Sequence, residues 1–151
     1  MKKKIVFIMN PISGTSSKAA VPSLIDSTLD KEQFEYEIKM TERPGHASEL
    51  AAEARDNHAD IVVAVGGDGT VNEVARSLVH SDSALGILPC GSGNGLARHL
   101  LLPMNLKKSI EIINACEIHD LDYGVINEYP FFCTCGMGFD AFVSMKFAES
   151  G

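Results

Sequence analysis

Apolar residues fall into short runs separated by glycine, proline and polar punctuation, and the period of each run names an element. Residues 4–9 (KIVFIM) are apolar after Lys4 and stop at Asn10-Pro11, which predicts a buried strand. Ser16 or Ser17 is placed to cap a helix running to about Leu29. Phe34, Tyr36, Ile38 and Met40 alternate with Glu35, Glu37 and Lys39, the pattern of a half-exposed strand near a sheet edge. Beyond the Pro44-Gly45 break, Ala47, Leu50, Ala51 and Ala54 share one face of a helix through Asn57. Ile61 to Val65 is apolar at every position, which suits a central parallel strand covered on both faces. Val71, Val74, Ala75 and Leu78 have helical spacing, Leu85 to Leu88 reads as another strand, and two helices follow, about Asn94 to Leu101 and Leu106 to Ala115. This alternation of strand and helix predicts an α/β layered fold with a parallel sheet.

The texture changes at Ile118. Two strand-like segments, Asp120 to Ile126 and Phe131 to Thr134, sit close together with no helix between them. A chain of 151 residues fits one domain or one domain plus the beginning of another. The division that follows is an α/β domain over residues 1–117 and the opening of a β-rich domain over 118–151.

Charge narrows the partners. Thirteen Lys and Arg against 20 Asp and Glu leave a net charge of −7, which argues against a general nucleic-acid binder. It leaves room for a nucleotide, which a few local groups can hold. The basic start, Met1 to Lys4, is followed by too short an apolar run to form a secretory signal, and no stretch approaches a membrane span. The chain reads as cytoplasmic. Of the four cysteines, Cys133 and Cys135 form a close pair that could be a metal or redox fragment, but no second pair at zinc spacing accompanies them, and buried reduced thiols in a strand are the expectation.

Three strand-to-helix junctions carry the candidate chemistry: Asn10-Pro11-Ile12-Ser13-Gly14, Gly66-Gly67-Asp68-Gly69-Thr70 and Gly91-Ser92-Gly93-Asn94-Gly95. In a parallel sheet, all turns after the strands' carboxyl ends line one edge, where ligands bind. Glycine lets backbone approach a ligand closely, and the free N–H groups of a following helix favour phosphate. Neither a G-x-x-x-x-G-K-[ST] loop nor a G-x-G-x-x-G fingerprint is present. Asp68, an acid between glycines, would be repelled by phosphates unless it helps hold Mg²⁺, accepts a proton from an attacking hydroxyl, or caps its helix.

Gly66-Gly-Asp-Gly-Thr-Val-Asn-Glu73 resembles the signature shared by diacylglycerol kinases, sphingosine kinases and NAD kinases. With Asn10-Pro-x-Ser-Gly14 and Gly86-Ile-Leu-Pro-Cys-Gly-Ser-Gly-Asn94 beside it, the chain from Ile5 to about Val143 resembles the diacylglycerol kinase catalytic domain family, which includes bacterial soluble lipid kinases.

That resemblance implies an ATP-dependent, Mg²⁺-requiring lipid kinase of phospholipid metabolism. It would transfer the γ-phosphoryl group to a hydroxyl of diacylglycerol or a sphingoid-base-like lipid at a membrane surface, with peripheral association. The positions that match its ATP contacts are Asn10, Pro11, Ile12, Ser13, Gly14, Thr41, Gly67, Asp68, Gly69, Thr70, Val71, Asn72, Glu73 and Ser92. Gly66, Gly91, Gly93 and Asn94 join them as members of the same turns. Asp68 matches the general base of sphingosine kinases. The metal ligands and proposed base of bacterial diacylglycerol kinases fall in the second domain and are not assigned here. Ser92 and Gly95 are closer to the sphingosine kinase version, and Asp140 falls where the lipid-facing domain begins. The resemblance also implies a β-sandwich second domain of which only the first strands are present, so nucleotide binding without efficient turnover is expected of these residues alone. NAD kinase and a non-catalytic nucleotide-binding module are the alternative readings, and assembly as a homodimer is left open.

Overall fold

The computed structural model describes residues 1–11, 18–134 and 146. Four parallel strands form its sheet: β1 (Lys3–Met9), β2 (Phe34–Met40), β3 (Ile61–Gly66) and β4 (Ala84–Pro89), in the order β2-β1-β3-β4. Between and after them run α1 (Val21–Thr28), α2 (His46–Asp56), α3 (Asp68–Leu78), α4 (Gly95–His99) and α5 (Leu106–Ala115). The α/β reading of the sequence therefore holds.

The continuous apolar runs feed two cores because successive side chains of a strand point to opposite faces. Val6, Ile8, Val62 and Ala64 pack on one face against Ala47, Ala51 and Ala54 of α2 and Val71, Val74 and Leu78 of α3. Ile5, Phe7, Val63 and Val65 pack on the other against Val21 and Ile25 of α1 and Ile110 and Ile113 of α5. All six residues of β3 are buried, as a strand roofed on both sides requires. β2 lies at the edge, with Phe34 buried and Glu35 and Glu37 exposed. Charged side chains there discourage pairing with another chain.

Four boundaries differ from the sequence expectation. Helix α1 begins at Val21 with Pro22 in its first turn, where a missing N–H costs nothing; Ser16 and Ser17 lie outside the described residues. Helix α4 is shorter than expected because Asn94 (φ 55°) and Leu101 (φ 58°) are both left-handed and close it at either end. The two late strands are β5 (Gly124–Ile126) and β6 (Tyr129–Phe131), an antiparallel hairpin. Asn127 and Glu128 both have positive φ, so they form the two-residue turn that pairs Ile126 with Tyr129 and sets this register.

The hairpin makes no ladder with the parallel sheet. Two polar contacts tether it to the α3 region: Arg76 Nε donates to the Pro130 carbonyl at 2.9 Å, and the Tyr123 hydroxyl lies 3.2 Å from His80 Nε2. No helix among the described residues is long and apolar enough to cross a membrane.

Candidate functional site

Beyond the carboxyl ends of β1, β2 and β4, single hydrogen bonds to the neighbouring strand bring the following turns abreast. Asn10 N–H donates to the Val65 carbonyl (3.2 Å), Thr41 N–H to Met9 (2.9 Å) and Cys90 N–H to Gly66 (2.9 Å). Above this edge opens a cleft of about 370 Å³. Asn10, Thr41, Gly67, Gly69, Thr70 and Glu73 line it, all of them picked out by the sequence. Its far wall is the 42–44 turn and Ala47, which the sequence reading did not single out.

Helix α3 points its N-terminus into this cleft. Gly67 is its cap residue, and the first hydrogen bond of the helix runs from Val71 N–H to the Gly67 carbonyl. The N–H groups of Asp68, Gly69 and Thr70 therefore have no intrahelical acceptor. They and the helix dipole make the mouth of α3 favourable for an anion. At Gly69 a β-carbon would meet no other atom within 4 Å, so its missing side chain leaves open cleft rather than relieving a packing clash.

Gly67 of the same turn and Gly91 of the third serve a different purpose. The Gly67 and Gly91 backbones are in direct contact: a β-carbon on Gly67 would lie 3.1 Å from Gly91 Cα, and one on Gly91 would collide with Gly67 Cα. Asn94 is buried and clamps the same turn, accepting from Gly91 N–H at 2.9 Å and donating to the Gly91 carbonyl at 2.7 Å. Ser92 and Gly93 are exposed on the rim, and none of the Gly91–Asn94 residues lines the cleft itself. Val71 buries its side chain in the core, and Asn72 is half-buried on α3. Pro11 is exposed. Ile12, Ser13, Gly14, Cys135 and Asp140 lie outside the described residues.

Asp68 does not cap its own helix, contrary to one option the sequence allowed. Gly67 occupies that position, and the Asp68 carboxylate reaches across to the third turn, where Oδ1 accepts from Leu96 N–H at 3.4 Å. It thus faces the N-terminus of α4, ties two of the three turns together and, unlike Gly67, Gly69 and Thr70, is not among the residues that line the cleft. Glu73 acts similarly on the opposite side. Its Oε1 accepts from Gly45 N–H at 3.2 Å and holds the left-handed turn (φ 80°) that starts α2.

Two cations near the edge escaped the sequence reading. Lys18 is buried, and its ammonium donates to the Asn10 carbonyl at 2.6 Å. Burial lowers its pKa, and the nearby Cys90 thiol works in the other direction. Burial likewise raises the Cys90 pKa, opposed by Lys18. Arg43 borders the cleft but is paired with Glu49 at 2.6 Å. Nothing in the local pattern marks either residue, because each becomes notable only through contacts set by the fold. Among the described residues no three carboxylate, imidazole or thiol groups converge to hold a metal ion. A Mg²⁺ carried on nucleotide phosphates fits this donor set, since it keeps phosphate and water ligands and needs only one or two carboxylates.

Known proteins resemble this chain in sequence and fold. The model of the diacylglycerol kinase catalytic domain matches residues 4–126. A diacylglycerol kinase of Staphylococcus saprophyticus is 34% identical over 134 residues, covering 87% of this chain and 44% of its own length. One from Staphylococcus epidermidis is 32% identical over 134 residues, covering 87% and 42%. The crystal structure of a diacylglycerol kinase from Bacillus anthracis superposes with a TM-score of 0.73 at 24% identity, over 85% of this chain and 48% of that one, a likeness of fold. The chain spans less than half the length of these curated relatives.

Proposed function

The chain belongs to the diacylglycerol kinase catalytic domain family, and from that premise we propose that it carries the ATP site of a lipid kinase. The observation that supports this most is the meeting of Asn10, Thr41, Gly67, Gly69 and Thr70 around the open N-terminus of α3. In this reading the phosphates lie against the free N–H groups of residues 68–70, and the remainder of the nucleotide extends toward Asn10 and Thr41. Such a reaction rests on positioning and charge neutralisation more than on covalent chemistry by the protein. Mg²⁺ bound to the phosphates would supply neutralising charge, and Asp68 would be a carboxylate able to help hold it.

Asp68 is the proposed acceptor of the proton from the attacking lipid hydroxyl. Its hydrogen bond from Leu96 N–H orients the carboxylate from the side of the third turn. The acceptor is a hydroxyl of diacylglycerol or of a sphingoid base. Residues 1–117 would form the nucleotide domain and 118–151 the opening of the lipid-side domain.

Two measurements test the reading. Calorimetry of this chain with Mg-ATP should show binding, and a folded sample that takes up no nucleotide at millimolar concentration would sink the site. A labelled-ATP transfer assay on the complete enzyme, with diacylglycerol and sphingosine in mixed micelles and NAD alongside, should place label in a lipid. Label in NADP alone would replace the lipid kinase with an NAD kinase.

A further inference from the structure

Helix α4 ends in a three-leucine turn whose middle residue is turned outward against the preference of its backbone. Leu101 N–H donates to the Arg98 carbonyl at 3.1 Å and Leu102 N–H to Ala97 at 2.9 Å, the paired bonds of a Schellman closure. Leu101 therefore occupies the left-handed position that glycine usually fills, at φ 58°. A β-carbon there costs roughly 1–2 kcal/mol. The side chain gains no packing in return among the described residues, for it is 88% exposed. Leu100 beside it is 38% exposed, whereas Leu102 and Met104 turn inward onto the core.

Along the sequence, the stretch that contains this tip departs in charge from the rest of the chain. The protein carries 20 acidic residues, yet none falls between Ser83 and Ile110, while Arg98, Lys107 and Lys108 do and are exposed. Glu111, one turn along α5 from the lysines, is the first acid to follow. Arg98 also donates from Nε to the Gly93 carbonyl at 2.9 Å, binding the tip to the rim of the proposed nucleotide site. From Gly95 to Leu101 the helical rise is only about 10 Å.

We infer that the Leu100–Leu101 tip is a membrane-docking element, inserting its leucines into an anionic lipid surface with Arg98, Lys107 and Lys108 against the headgroups. An apolar side chain flanked by cations is the pattern of interfacial binding. Two leucines are too little surface for a stable protein contact, which needs roughly 800 Å² per partner. The inference rests on the lipid kinase reading for its purpose: it would hold the nucleotide cleft over the surface that contains the acceptor.

The chain has no tryptophan, so Leu101→Trp places a single emitter at the tip. Its fluorescence should shift to the blue on vesicles of equal parts phosphatidylcholine and phosphatidylglycerol, and less on phosphatidylcholine alone. Leu101→Gly should weaken vesicle co-sedimentation roughly ten- to a hundredfold, the worth of one buried leucine. The same variant should melt at a higher temperature than the parent, because glycine relieves the left-handed backbone. Lys107→Gln with Lys108→Gln should cost roughly thirtyfold on the anionic vesicles and little on the neutral ones.

Emission that is already blue-shifted without vesicles would mean that protein covers the tip and would overturn the inference. So would absence of any shift on either vesicle, or a Leu101→Gly chain that melts lower. Docking that fails while the complete enzyme phosphorylates lipid in mixed micelles refutes only the docking element. Docking without phosphorylation of any lipid refutes only the activity.

Discussion

Gly69→Ala separates a glycine kept for a ligand from one kept for the fold. Gly69 lies in the first turn of α3 with ordinary helical backbone, is exposed, and faces open cleft. Alanine is the better helix former by roughly 0.5–1 kcal/mol at such a position. For a chain of this size that is a rise in Tm of about 1–4 °C. The new methyl group, however, stands where phosphates would approach the N–H groups of residues 68–70. Losing one hydrogen bond to a charged group costs about 1.5–3 kcal/mol, so Mg-ATP should bind roughly ten- to a hundredfold more weakly. Thermal scans and titration calorimetry on the same preparation read both effects. A raised Tm with unchanged ATP affinity would show that the phosphates do not sit at the mouth of α3. A lowered Tm would show that Gly69 answers to packing after all.

Gly91→Ala should do the reverse, since its methyl group collides with the Gly67 backbone. Overpacking of about 1–3 kcal/mol corresponds to a Tm lower by roughly 2–12 °C, and an unchanged melt would refute the contact. In the complete enzyme, Asp68→Asn should cut turnover by about 10²–10⁴ while barely changing the melt, because the amide oxygen can still accept from Leu96 N–H. Turnover close to the parent's would leave Asp68 a residue that only joins two turns. At the sheet edge, hydrogen bonds from Lys31 and then Tyr36 hold the Asp26 carboxyl below its ordinary pKa of 3.8. A depressed carboxyl contributes stability above its unfolded pKa and loses it as pH falls through the folded one. Asp26→Asn should therefore flatten the acid limb of a urea-stability profile below that value, and an acid limb as steep as the parent's would contradict the linkage.

What could be read in advance depended on whether a residue's role was local. Strand β3 was legible because a strand buried on both faces has no polar position to spare. The glycine turns were legible as a set, since parallel topology alone sends them to one edge. Their reasons were not. Gly69 opens to the cleft, whereas Gly67 and Gly91 press against each other across 24 residues of chain, and no motif distinguishes these cases. The cap role allowed for Asp68 considered only the adjacent helix, the one partner visible in the sequence; the hydrogen bond from Leu96 N–H belongs to the fold. Lys18 gave no signal, since its neighbours Asn10 and Cys90 are assembled by the sheet. The hairpin strands were displaced because Asn127-Glu128 contains no glycine, so the turn went unrecognised and the strands were drawn around it.

The position of β1 at the interior of the sheet has a consequence for synthesis on the ribosome. This strand pairs with β2 on one side and β3 on the other, and both partners are translated later. At about 5–20 residues per second, the interval between Met9 and Gly66 lasts roughly 3–11 s. Throughout it, the apolar segment KIVFIM emerges without the strand that will cover its second edge. Short, strand-forming segments of low net charge are the ones that associate wrongly when left unpaired. This segment is therefore most vulnerable until β3 is made. A chaperone that engages residues 4–9 until β3 appears would raise the yield of native protein more than one acting on the finished sheet.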